Sequence, residues 1–481
     1  CCAEQPLARI IVSERCRAAL GFATATYYIR RTTDPGGVVA VGIDAPDGQT
    51  VVTPAVVFLD SSTYSTDNAA NLITVTAAND SIDETATHGA RLRHRVLFTT
   101  NATDYPTTMT AFLNATVTDN DAAGISVSPA GGLITTEGGG SAAFIVQLAT
   151  QPADEPFTDT DNDGVRDVGE SFTDVNGDSS YSTGTVRLQF AISGGEATVD
   201  ADASTSGIQS TIDIPAATWN QARTITVTGI NDDRDDGDAA FTVTASIVAA
   251  GTSDAAYQAQ SVPPVAGTNI DNDTALVRLE DGSGALLASA LSVSEAGATA
   301  TYRIRLATEP TAPVTVTVIP DGQVLIDTDS GTLGDQTTLV FEPDNSNGRI
   351  WSSARTVTVR AVDDDTDEAN PHSASISHAA AGGDYIAVTV GTAAVAVGDD
   401  DAADVTVAPN TAFSIAEQGG SHSIDVTLTS RPVADVTIAL SSSDATAATI
   451  APASYTISPD TWQQTRTFTV LGTDDDADDG P

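Results

Sequence analysis

Apolar and polar residues alternate along most of this chain. The pattern is clearest in Leu72–Ala78 (LITVTAA), Thr224–Ile230 (TITVTGI), Thr356–Val362 (TVTVRAV) and Thr467–Thr473 (TFTVLGT). A period of two sends one face of an extended strand to a core and the other to water. Longer alternations, such as ATATYRIRLATEP at 298–310 and GSHSIDVTLTSRP at 420–432, end at Gly or Pro. Turn formers recur at roughly 10-residue intervals, the spacing of short strands in a sandwich or barrel. Helix has almost no place to form.

The alternating segments belong to a larger repeat, which would set the whole fold. Three of them follow a W-x-x-x-R-T motif, at Trp219, Trp351 and Trp462, the chain's three tryptophans. Twelve residues beyond each Trp stands an acidic cluster: Asn231-Asp232-Asp233-Arg234-Asp235-Asp236, Asp363-Asp364-Asp365-Thr366-Asp367-Glu368 and Asp474-Asp475-Asp476-Ala477-Asp478-Asp479. A fourth copy without Trp is Asn79-Asp80-Ser81-Ile82-Asp83-Glu84. Each repeat opens on an apolar strand ending in Glu, at Glu14, Glu137, Glu295 and Glu417, with spacings of 123, 158 and 122. Three repeats close on further carboxylates: Asp119 and Asp121, Asp271 and Asp273, and Asp399, Asp400 and Asp401.

These marks place repeats at 1–121, 122–273, 274–401 and 402–481. The first three have the size of a seven-stranded antiparallel sandwich. The fold expected is therefore all-β, a tandem of immunoglobulin-like antiparallel β-sandwiches. The fourth repeat stops at Pro481, where its last two strands should start, and is expected to be truncated with an unpaired edge.

Charge narrows the functions. The 65 acidic residues against 20 basic ones give a formal charge of −45, and every basic residue is Arg. Such a surface repels nucleic acid and anionic lipid and attracts cations. A salt-adapted or GC-rich genome would account for dispersed acidity, but not for clustering at one repeat position. No apolar run approaches the roughly 18 residues that span a bilayer. The three cysteines lie within the first 16 residues, which suits a secreted protein whose domains need no disulfides. The opening segment lacks the basic, apolar, small-residue order of a signal peptide, so a leader is expected upstream.

Calcium takes six to eight oxygen ligands from loops that bend around one point. In a sandwich the opening strand, the loop after the Trp-linked strand and the end of the last strand can converge at one tip, beside the start of the next repeat. The alternative is that the clusters are solvated turns. A second signal lies in the insertion at about 154–185 that lengthens repeat two. Asp159, Asp161, Asp163, Asp167 and Glu170 occupy positions 1, 3, 5, 9 and 12 of a D-x-D-x-D-G loop, with Gly164 at the turn and the Val165 carbonyl at position 7. A weaker copy follows 15 residues later with Asp174, Asn176 and Asp178, and with Ser179 and Thr185 where Gly and Glu belong. Neither flank looks helical.

The S-x-S-E-x-G opening at Ser292–Gly297, the W-x-x-x-R-T strand, the D-D-D-x-D-E loop and the closing acidic group resemble the Calx-beta family over nearly the whole chain. That resemblance implies an immunoglobulin-like sandwich that binds Ca2+ through acidic loops at one end. Carried over by position, it implies a site at Glu295, Asp363, Asp364, Asp365, Asp367, Glu368, Asp399, Asp400 and Asp401. Repeat two would use Glu137, Asp232, Asp233, Asp235, Asp236, Asp271 and Asp273, although Asn231 and Arg234 interrupt its loop. Repeat four would use Glu417, Asp474, Asp475 and Asp476. Repeat one departs, with Arg15-Cys16-Arg17 after Glu14 and no Trp.

No metal-histidine motif, nucleophile elbow, phosphate loop or Cys-His pair is present, so no enzyme is expected. His88 and His94 match His372 and His378 in position, and their spacing of six puts each pair on one strand face. Zinc binding is conceivable there, but packing or hydrogen bonding within the repeat is favoured. His422 is expected to be exposed and the tryptophans to be core or tip anchors. The expected function is a calcium-stabilised stalk or adhesion segment of a secreted or surface-anchored bacterial-type protein, with other surface proteins or glycans as partners. A calcium sensor and a metal-independent spacer are the alternatives.

Overall fold

The computed structural model describes residues 10–15 (backbone only), 24–34, 36–67, 69–161, 165–344 and 348–474. Nearly all regular structure is strand, and the described helices are single turns such as Ala255–Gln258. The all-β expectation holds because alternating, Thr- and Val-rich segments fit a half-buried pleated surface. The chain divides into two compact units, Cys1–Asn231 with Asp238–Asp271, and Asp232–Gly237 with Asn272–Pro481.

In the second unit, strands from Val277 to Gly398 build one sandwich. One sheet runs Val277–Glu280, Thr299–Leu306, Arg355–Ala361, Val324–Asp327; the other runs Leu291–Ser294, Ala393–Gly398, His372–Ala381, Val314–Pro320, Thr338–Phe341. The alternation read from the sequence becomes burial: every second residue of Thr299–Leu306 from Tyr302 onward points inward. Tyr302, Ile304 and Val357 of one sheet meet Val316, Ile376 and Val395 of the other in one core, with Trp351 at its margin. Leu291–Ser294 pairs parallel with Ala393–Gly398, while its neighbours pair antiparallel. The strand that ends at Glu295 therefore finishes level with the strand that ends at Asp399.

The first unit repeats this arrangement between Ile125 and Ile270, where Gly131–Thr136 pairs parallel with Val265–Ile270 and delivers Glu137 beside Asp271. Its other sandwich differs. Ile10–Arg15 pairs antiparallel with Thr24–Arg31, setting Glu14 opposite Tyr27 in the register. Among the described residues repeat one shows no parallel opening pair. In each complete sandwich a fully buried tyrosine ties a corner. The hydroxyls of Tyr257 and Tyr385 donate to the Thr150 and Thr308 carbonyls and accept from those residues' amides, and the Tyr105 hydroxyl likewise donates to the Thr33 carbonyl.

The stretch after Val405 holds a four-stranded sheet and a two-stranded one, Val436–Ala439 with Ser454–Ile457. Its core is thin: Val426, Ile457 and Phe468 are buried, but Val405 and Val407 are exposed. The expected opening strand FSIAE does not form, and Glu417 is exposed. In the sandwiches of repeats two and three that strand is held by a parallel closing strand, and none is described here.

Candidate metal centre

The densest carboxylate cluster lies where Leu291–Ser294 and Ala393–Gly398 end together. Glu295 is 6% exposed, and its amide donates to the Gly398 carbonyl at 3.0 Å. Oxygens of Glu295, Asp399 and Asp401 all lie within 4.8 Å of one another. The loop after Arg355–Ala361 completes the cluster from the other sheet. Its Glu368 amide donates to Asp399 Oδ2 at 3.3 Å, and Asn370 Nδ2 donates to the Asp399 carbonyl at 2.7 Å. Glu295 Oε2, Glu368 Oε2, Asp399 Oδ1 and Asp401 Oδ2 are buried without a hydrogen-bond partner. Buried anionic oxygens left unpaired are costly. Burial, then the charges of Asp399, Asp364, Glu368 and Asp400, push the Glu295 carboxyl up to about 7. Asp401 is raised by burial and by Asp399, Asp400, Asp365 and Asp364. The set of Glu295, Asp399 and Asp401 is all oxygen, multiply anionic and short of hydrogen bonds, which fits a hard divalent cation such as calcium.

The other expected ligands are placed differently. Asp363, Asp364 and Asp365 sit in the loop, all three exposed. Asp364 Oδ1 accepts from the Thr366 amide at 2.7 Å, bending the loop. Asp367 Oδ2 accepts from the Ala403 amide at 3.0 Å, and the Asp365 carbonyl accepts from the Arg431 amide at 2.6 Å. The same two bonds recur at matching positions. Asp235 Oδ2 accepts from Ala275 at 2.7 Å and the Asp233 carbonyl from Glu309 at 2.7 Å. Asp83 Oδ2 accepts from Ala123 at 2.8 Å and the Ser81 carbonyl from Gln151 at 2.7 Å. The carboxylate at the fifth loop position is thus a latch onto the residues beyond the closing acidic group, a role the sequence reading did not separate from ligation.

In the first unit Glu137 is 2% exposed, its amide donates to the Ile270 carbonyl at 3.1 Å, and its oxygens come within 4.8 Å of those of Glu196 and Asp271. Asp232, Asp233, Asp235, Asp236 and Asp273 belong to the second unit, where Asp232 Oδ1 accepts from the Arg234 amide. Glu196 was missed in the sequence. Its counterparts are glutamines: Gln323 donates to Glu368 Oε1 at 3.3 Å and Gln49 to Glu84 Oε1 at 2.7 Å. All three immediately precede a short strand, and only that register could have flagged them.

The insertion is a separate candidate. Phe157 and Phe172 form a bridge, Tyr181 meets both rings edge-on, and the Arg166 guanidinium lies over Phe172 and Tyr181. On this small core Asp159, Asp161 and Glu170 bring oxygens within 4.8 Å of one another. Glu170, 6% exposed, accepts from the Thr160 and Asp167 amides, which hold its carboxyl below the usual range. Val165 and Asp167 are exposed, and Asp163 lies outside the described residues. The second loop wraps Asp174, whose carboxylate accepts from the amides of Gly177, Asp178 and Ser179, while Asn176 Nδ2 reaches Asp178 at 3.2 Å. Ser179 takes a φ of 64°, the left-handed region that the expected Gly would enter freely. Buried Glu155 clasps this loop through the amides of Val175, Asn176 and Ser182.

Asp474 is exposed, and Asp475 and Asp476 lie outside the described residues. His94 and His378 are core groups whose Nε2 atoms meet the hydroxyls of Tyr27 and Tyr302 at 2.7 Å. His422 is half-buried and stacks on Phe413 with centroids 4.0 Å apart, where exposure was expected.

Neither a family model nor a curated protein matches the sequence. Among solved structures, the chain is similar to "calcium binding domain CBD12 of CALX1.1" at 12% identity, covering 56% of this chain and 99% of that one with a TM-score of 0.21. It is similar to "CBD12 from CALX1.2" at 14% identity, covering 53% and 79% with a TM-score of 0.19. It is also similar to the "D0-D1 domain of Intimin" at 13% identity, covering 53% and 93% with a TM-score of 0.15. Likenesses this distant carry no argument about function, which rests on the clusters themselves.

Proposed function

We propose that this chain is a calcium-binding, non-catalytic β-sandwich array of the Calx-beta type, serving as a rigidifying segment of a secreted or cell-surface protein. One observation carries the reading: four carboxylate oxygens, from Glu295, Glu368, Asp399 and Asp401, are buried together without hydrogen-bond partners at the end of one sandwich. A fold that gathers unpaired anions needs a cation to offset their repulsion. The loop that carries Glu368 also carries Asp367, the latch to Ala403, so an ion ordering the loop would stiffen the chain that leaves it. This link also supports the sensor reading, in which loading would reorient the chain beyond Ala403. Asp159, Asp161 and Glu170 would hold a further ion in the insertion. Among the described residues no helix is long and apolar enough to cross a membrane.

Calorimetric titration of chelator-stripped protein with calcium, paired with melting in calcium and in chelator, tests the proposal. Several bound ions and a melting point that climbs with calcium concentration are expected, since a ligand that binds only the native state stabilises it. No heat and no shift would reduce the clusters to solvated turns.

A further inference from the structure

One edge of the cluster around Glu295 carries a nitrogen that calcium does not use. His372 opens the strand His372–Ala381, and its Nε2 lies 3.2 Å from Glu368 Oε2. Beyond that contact, neither ring nitrogen of His372 has a hydrogen-bond partner, nor have Glu368 Oε2 and Glu295 Oε2. An oxygen of Glu295, an oxygen of Glu368 and a ring nitrogen of His372 lie within 4.8 Å of one another, and Glu295 itself is 6% exposed.

Repeat one shows the same pair satisfied without an ion. There His88 Nε2 meets both Gln49 Oε1 and Glu84 Oε2 at 2.9 Å, while Gln49 Nε2 donates to Glu84 Oε1 at 2.7 Å, so the glutamine bridges the ion pair. In repeat three Gln323 reaches Glu368 Oε1 at 3.3 Å, and the imidazole keeps only the 3.2 Å contact to Glu368 Oε2. Calcium prefers oxygen, whereas a mixed imidazole and carboxylate set suits zinc and its neighbours. Two ligands held at about 2.0 Å from one tetrahedral ion stand roughly 3.3 Å apart, close to the Glu368–His372 separation. Two carboxylates and a neutral imidazole would leave a divalent ion uncharged overall.

We propose that Glu295, Glu368 and His372 form a site for a borderline divalent transition ion of the zinc class, sharing Glu295 and Glu368 with the calcium cluster. It deepens the calcium reading of this tip, because the same buried carboxylates serve both ions. Repeat two, with Ala240 four residues beyond Asp236 where His372 stands four beyond Glu368, takes no such ion.

The test is calorimetry on the whole chelator-stripped chain, titrated with zinc and, in separate runs, with calcium, for wild type, His372→Ala and His372→Gln. Both variants should lose one zinc-binding event or weaken it by more than about tenfold, since removing even an outer partner of a metal ligand costs that much. Their calcium isotherms should stay within about twofold of wild type. Cobalt(II) added to wild type should give visible d–d bands that zinc abolishes, a readout that stands if the variants fold poorly. Zinc heats unchanged by both substitutions, or wild type with neither zinc heat nor cobalt bands, overturns the proposal. Calcium heat in that same wild-type sample separates this failure from failure of the calcium reading.

Discussion

The charge at Glu295 gives a prediction whose sign reverses with calcium. An ordinary glutamate titrates near 4.5, and burial among Asp399, Asp364, Glu368 and Asp400 moves this one to about 7. Because the folded state holds the proton more tightly, the contribution of Glu295 to the calcium-free fold is full below about pH 4.5 and is lost as pH rises through about 7. The full difference corresponds to about 3 kcal/mol at pH 8. Glu295→Gln removes the charge while keeping the shape, so in chelator at pH 8 the variant should be the more stable protein. For a sandwich of this size that gain is worth roughly 10 °C in melting temperature. At a thousandfold calcium excess over Kd the order should invert, because wild type then gains about 4.1 kcal/mol and the variant has lost a ligand. The assay is urea unfolding followed by Trp351 fluorescence in a Trp219→Phe, Trp462→Phe background, which isolates the sandwich whose core Trp351 borders. A Glu295→Gln protein less stable than wild type in chelator, or gaining as much from calcium, would refute the reasoning.

Three further outcomes rest on the same geometry. Burial holds the His94 imidazole down to about 4, so its neutral form contributes stability above pH 6.5 that is lost as pH falls through 4; about 3 kcal/mol is at stake, and acid unfolding followed by hydrogen exchange should show strand Thr87–Thr99 opening early, a change that His94→Gln abolishes. Tyr385→Phe leaves the Thr308 amide and hydroxyl short of the partner they have at 3.1 and 2.7 Å, and should cost about 1–3 kcal/mol in urea titrations. Asp367→Ala removes the bond to Ala403 without touching Glu295 or Asp399; limited proteolysis near residues 400–404 should quicken severalfold while calcium affinity changes little, and an equal loss of affinity would show Asp367 to be a ligand.

The repeat's marks carried much of this architecture. Alternating segments named the strands, since period-two patterning needs only local sequence, and the glutamates that close LITTE and LSVSE were recognisable because each ends an apolar run. The site itself was less legible. Asp364, Asp367 and Glu368 look alike in a row of acids, yet one bends the loop, one latches to Ala403 and one faces Glu295. Gln323 and Glu196 gave no signal, because their place beside the cluster depends on pairing with strands about thirty residues away. The expected strand at FSIAE failed for a similar reason, its sequence being apolar enough but its closing partner not among the described strands.

What the sequence determined by itself is the class and order of elements, the position of acidic loops at one place in each repeat, and a net charge that favours cations. These depend on side-chain period and composition, which need no folded neighbour. Tertiary structure alone decided that Leu291–Ser294 runs parallel to Ala393–Gly398. That choice sets Glu295 against Asp399, buries both, and raises the cost of their charge. Whether a carboxylate is a ligand, a latch or a solvated turn depends on how much water it has lost and which amide it meets, and both are properties of packing.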